Sequence, residues 1–65
     1  MNLQPHQQRV VDEKTELDAK LAKLKAFGLT PLFGGLPTEE KQRLTEQEGY
    51  MLNYSDVLGR RIAAF

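Results

Sequence analysis

The sequence predicts an all-α fold, an antiparallel two-helix hairpin, and three observations carry that prediction. After Pro5 no glycine or proline interrupts the chain until Phe27, and Val10, Leu17, Leu21 and Leu24 fall on one helical face. From Gln42 to Phe65, Leu44, Met51, Leu58 and Phe65 recur at heptad spacing, with Gln47, Tyr54 and Arg61 at the intervening three- and four-residue steps. Between the two patterns lies GLTPLFGGLP, whose three glycines and two prolines suit no regular element. Two helices joined by so short a connection return along one another.

The first helix is expected over about residues 5–27. Pro5 suits a first turn, where its missing N–H costs nothing, and Gly28 directly after the last periodic residue is a common stop. Asp12, Lys14, Glu16, Lys20 and Lys23 decorate its remaining faces, and Glu16 with Lys20 has the favourable acid-first spacing, worth ~0.2–0.5 kcal/mol.

The connection, residues 28–38, is not a polar linker. Leu29, Leu32, Phe33 and Leu36 are too apolar to be left in water, so it is expected to fold over the closed end of the hairpin or to pack on another subunit. Thr38 is placed to cap the second helix, expected over about residues 39–64, and Glu39 and Glu40 suit the positive end of its dipole. Glu39 with Arg43 and Asp56 with Arg60 add acid-first pairs. Gly49 and Gly59 lie inside this helix at about 1 kcal/mol each relative to alanine, tolerated most easily where a neighbouring backbone or a ligand comes close.

Pairing the apolar stripes sets Leu24 opposite Leu44, Leu21 opposite Gln47, Leu17 opposite Met51, Glu13 or Lys14 opposite Tyr54, and Val10 opposite Leu58. The open end then gathers His6, Arg9, Arg60 and Arg61. One seam leaves Tyr50, Leu52, Val57, Ile62 and the loop hydrophobes uncovered, and a large side chain is worth ~1.5–3 kcal/mol when buried. Self-association into at least a dimer, a four-helix bundle, is the simplest remedy for a chain of 65 residues forming one unit, residues 1–65.

Composition narrows the function. The chain has no cysteine, so neither a disulfide framework nor a zinc–thiolate site is open to it, and its one histidine builds no metal site alone. Nine basic and nine acidic side chains cancel, against the basic excess of a duplex-binding module. No apolar run reaches membrane-spanning length, and MNLQPHQQ lacks the basic-then-apolar form of a secretory leader, so the chain reads as a soluble cytosolic protein.

Catalysis finds no support. Ser55 beside Asp56 has no nearby base on a regular helix, the acids are scattered over charge-paired faces, and no phosphate-cradling glycine motif is present, so no catalytic residue, metal or cofactor is expected. The best binding candidates are Arg9, Arg60 and Arg61, whose planar forks match phosphate oxygens, with Tyr54 and Tyr50 to stack on a base and Gln47 to read its polar edge. The same residues admit a structural account: Arg61 paired with Glu13 or with an acid of a partner subunit, Tyr54 bonded to Glu13, and Gln47 fixing register at an interface.

The run HQQRVVDEK-x-ELD-x-KL-x-KL, then LP-x-EE, RL-x-x-Q and YSDVLGRRIAAF, resembles a family of short proteins of tailed phages and prophages labelled after an open reading frame of a crAss-like phage. In architecture alone the chain is similar to the phage sponges that disarm CBASS and Thoeris immunity, helical hairpins that oligomerise and hold cyclic nucleotides between subunits without cleaving them. The resemblance implies a counter-defence protein in the cytoplasm of a bacterial host. Taken with the residue reading above, in which Arg9, Arg60 and Arg61 neutralise phosphate and Tyr54 and Gln47 contact base or ribose, it would sequester a small phosphorylated or cyclic nucleotide at subunit boundaries. The alternative is an inhibitor or adaptor gripping a host protein with an exposed helical face.

Overall fold

A computed structural model describes residues 2–65; Met1 of the expected unit lies outside them. Two long helices, α1 (Pro5–Gly28) and α3 (Thr38–Ala63), pack antiparallel, with a single helical turn, α2 (Pro31–Gly34), at the corner. The rod measures 47 × 15 × 13 Å.

Local chemistry sets each boundary. Before Pro5, the Gln4 backbone N–H donates to the Gln7 side chain at 2.8 Å, closing the first turn. α1 runs through Gly28, and the Leu29 N–H donates to the Ala26 carbonyl at 3.1 Å. No glycine has positive φ, so Gly28 ends the helix without the left-handed turn usual for a glycine stop. The corner is more ordered than its composition suggests. The Thr30 hydroxyl donates back to the Phe27 carbonyl at 2.6 Å and accepts from the Phe33 N–H at 3.5 Å, capping a turn that Pro31 begins.

That turn divides the loop hydrophobes. Phe33 packs edge-on against Phe27, with ring centres 6.1 Å apart and planes at 88°, and Leu36 is half-buried, so these two close the hairpin's end. Leu29 and Leu32 point outward, 89% and 73% exposed. Thr38 does not cap α3: Pro37 holds the cap position and Thr38 is the first helical residue. Glu39 and Glu40 do lie in the first turn of α3, and Arg60 and Arg61 in its last, each suited to the dipole there.

The core is thin. Val10, Leu21 and Leu58 are its buried apolar residues, with Leu17, Leu24, Leu44, Met51 and Ile62 half-buried beside them. On α1 this is the expected face. On α3 the seam is Leu44, Glu48, Met51, Ser55, Leu58 and Ile62, so the intervening positions are one residue beyond the Gln47, Tyr54 and Arg61 that periodicity suggested. At about 100° per residue, Gln47, Tyr54 and Arg61 turn away from α1, and Phe65 stays 43% exposed.

The register carries a polar lock. Lys14 is not a surface decoration: its ammonium donates to Ser55 Oγ at 2.8 Å and to Asp18 at 2.9 Å, while the Ser55 hydroxyl donates to the other Asp18 oxygen at 2.5 Å. Ser55 is buried, and all three groups are satisfied. These bonds hold the Asp18 carboxyl below its ordinary pKa, Ser55 contributing most and Lys14 next, with desolvation acting the other way. A Cβ added at Gly59 would meet Lys14 Cε at 3.6 Å, ordinary contact, whereas Gly49 faces open space; neither glycine is required by close packing within the hairpin.

Candidate functional site

The outward face of α3 follows from the rotated seam. Arg43, Gln47, Tyr50, Tyr54, Val57 and Arg61 repeat at steps of four and three, forming a second stripe about 100° around the helix from the one that meets α1. All six are exposed, and Tyr50 and Tyr54 remain 71% and 45% accessible. A shallow, largely apolar groove of about 380 Å³ runs along this face between Arg43 and Tyr54. Its lining includes Met51, whose sulfur lies 3.8 Å from the Gln47 amide nitrogen, and Glu46.

Of the five residues singled out from sequence, Gln47 and Tyr54 line this groove and Arg61 continues its stripe one turn beyond Val57. Arg61 takes part in no ion pair among the described residues. Neither Arg61 nor Tyr54 pairs with Glu13, and Gln47 is exposed on the hairpin instead of lying in its seam. Arg60 departs from the expected cluster of unmatched arginines, because its guanidinium meets the Asp56 carboxylate at 3.1 Å. Arg9 is exposed on α1 beside buried Val10, at the open end but on the other helix from the groove.

Two further residues belong to the stripe's geometry: Tyr50, which the sequence offered beside Tyr54 as a stacking ring, and Arg43, which sequence reasoning left out of the site. Tyr50 lines the groove and is the more exposed of the two tyrosines. Arg43 stands at its far end, held loosely by Glu40 at 3.3 Å instead of by Glu39. The missed signal was the second stripe: Arg43, Gln47, Tyr50, Tyr54, Val57 and Arg61 are as periodic as the seam residues.

This face presents stacking surfaces, a side-chain amide and guanidinium donors. Stacking on a tyrosine ring is worth ~1–3 kcal/mol per base, and arginine supplies paired N–H donors to phosphate. No group of three or more His, Asp or Glu side chains among the described residues is placed to hold a metal, and no helix among them is long and apolar enough to cross a membrane.

The profile of one protein family, Sequestin, matches residues 4–64, nearly the whole chain. This chain belongs to the Sequestin family. Sequestins are phage proteins that take immune signalling nucleotides out of circulation by binding them, without catalysis. The Lys14–Ser55–Asp18 cluster is accordingly structural in this Sequestin: its serine is buried in the seam and its bonds join α1 to α3. No curated protein and no solved structure matches the chain.

Proposed function

We propose that this Sequestin holds a cyclic nucleotide, or a related nucleotide-derived immune signal, along the outer face of α3 where hairpins meet. It would do so in the cytoplasm of the bacterial host. Tyr54 and Tyr50 stack on base or ribose, Gln47 reads a polar edge, and Arg61 neutralises phosphate. Arg9 and Arg60 add positive charge at the open end, Arg60 shared with Asp56. The supporting observation is the exposed stripe itself: two tyrosines left in water beside a groove, with an arginine that has no acid of its own among the described residues. A hairpin offers only a shallow groove, and a second subunit would enclose the ligand more fully.

Titration calorimetry with cyclic dinucleotides, cyclic trinucleotides and cyclic ADP-ribose isomers tests the proposal. Binding by at least one class is expected, lost in Tyr54→Ala and Arg61→Ala; absence of heat across the panel with the assembly intact refutes it. A second reading, a host-protein inhibitor or adaptor, is favoured by Leu29 and Leu32, which stand exposed at the closed end away from the groove. One stoichiometric host partner, lost on replacing both leucines by serine, would establish it.

A further inference from the structure

We infer that two copies of the chain pair antiparallel through the outer faces of α3, bringing Arg43 of one copy and Arg61 of the other together as a phosphate clamp at each end. The identity of the ligand rests on the function proposed above; the arrangement of the copies rests on the face itself.

The stripe Arg43, Gln47, Tyr50, Tyr54, Val57 and Arg61 has the four–three spacing by which one helix packs along another. It is also symmetric about its centre, between Tyr50 and Tyr54. With a two-fold axis at that level, Tyr50 lies opposite Tyr54 of the second copy, Gln47 opposite Val57, and Arg43 opposite Arg61. Such a contact is isologous and closes on itself.

Charge selects a second copy in this orientation. Glu46 and Arg60 lie on the same flank of the stripe, the flank turned away from α1. Antiparallel pairing brings Glu46 of one copy to Arg60 of the other on both sides of the axis, setting Arg60 between that acid and its own Asp56. A parallel pair would separate Glu46 from Arg60 and stack Arg43 on Arg43 and Arg61 on Arg61. Antiparallel packing also sets the acidic first turn of α3, Glu39 and Glu40, toward the end of the partner helix that carries Arg60 and Arg61.

The same symmetry makes the ligand site composite. Two guanidinium groups converge at each end of the contact, beside Glu39 and Glu40 of the first turn of α3; within its own chain Arg43 has a loose 3.3 Å bond to Glu40 and Arg61 has no ion pair among the described residues. A phosphate between them removes the repulsion and accepts donors from both. The ends are about 27 Å apart along the helix, too far for one cyclic nucleotide to bridge, so the pair holds two ligands, one per protomer.

Disulfide trapping in the full chain decides the packing, because the natural sequence has no cysteine and each introduced thiol is the sole one. Gln47 and Val57 are about 15 Å apart along one helix, so a copy carrying Gln47→Cys should not bridge to its like, and neither should Val57→Cys. Oxidising the two variants mixed is expected to give a covalent dimer in several-fold higher yield than either alone. Equal or greater bridging within either variant, or a chain that sediments as a monomer in the high micromolar range, overturns the arrangement.

The trapped dimer then tests the clamp with the first cyclic nucleotide of the panel that binds the unmodified chain. With Arg43→Ala placed on the Gln47→Cys chain and Arg61→Ala on the Val57→Cys chain, both deletions fall at one end. That dimer should bind one ligand at the affinity of the unmodified chain. With both deletions on one chain, each end loses one arginine and both sites should weaken about tenfold or more. Identical binding by the two dimers refutes the composite site while the disulfide pattern still decides the packing. If no member of the panel binds, the clamp fails with the proposed ligand, and the packing stands or falls on trapping alone.

Discussion

Replacing Leu58 by alanine should cost the hairpin a large part of its stability, whereas the same replacement at Leu52 should cost little. Leu58 is 0% exposed and Leu52 is 42% exposed on the same helix, so the pair holds the chemistry constant and varies only burial. Truncating a fully buried leucine removes its transfer free energy and leaves a cavity, about 3–5 kcal/mol together, while a half-exposed leucine leaves no cavity and costs about 1 kcal/mol. A chain of this length carries a total stability of about 3–10 kcal/mol, so the first loss is severe. With an unfolding entropy near 2.1 cal/mol/K per residue, each kcal/mol moves the midpoint by about 7 °C, and Leu58→Ala should melt roughly 20–35 °C below the parent. Circular dichroism at 222 nm, with urea titrations at fixed protomer concentration, measures both variants. Equal losses at the two positions, or a drop under about 10 °C for Leu58→Ala, would show that the seam is not the face assigned to it.

Ser55→Ala removes a hydrogen bond at each of two charged groups but leaves Lys14 and Asp18 paired, so a loss of about 1–2 kcal/mol in urea is expected, with larger damage from Lys14→Ala. Because the folded state depresses the Asp18 pKa, its contribution is present above the unfolded carboxylate value near 3.9 and is lost as pH falls through the lower folded value. The acid limb of the stability curve should therefore flatten in Asp18→Asn, and an unchanged limb would place the sensitivity elsewhere. Gly49→Ala adds a Cβ into open space inside a helix and should stabilise the fold by about 0.5–1 kcal/mol by thermal melt; a loss would mean that another backbone covers that position.

The helices were legible because hydrophobic spacing, Pro5 and the glycine- and proline-rich corner all act locally. The face of α3 was not, because two stripes overlap: Leu44, Met51 and Leu58 lie near the boundary between them, and Gln47, Tyr54 and Arg61 complete a heptad with those three as well as Glu48, Ser55 and Ile62 do. Choosing the second set requires knowing that a serine and half of a glutamate can enter the seam, and Ser55 does so only because Lys14 and Asp18 arrive from 41 and 37 residues away. No periodicity reports such a partnership. The same rotation left Tyr54 and Gln47 accessible, as a binding role requires, while Arg60 proved to have a near neighbour in Asp56 that the sequence spacing already showed.

The corner also restricts how copies combine. Pro31 lacks the N–H that a continuous helix would direct to the Phe27 carbonyl, and Pro37 repeats the interruption before α3, so the two rods do not readily straighten into one long helix that trades halves with a neighbour. In the pairing proposed above, assembly would add finished hairpins, and dilution should separate them intact. A preparation thinned until its subunits part would release its cargo with the far-ultraviolet spectrum preserved, and restore capture on reconcentration without a refolding delay.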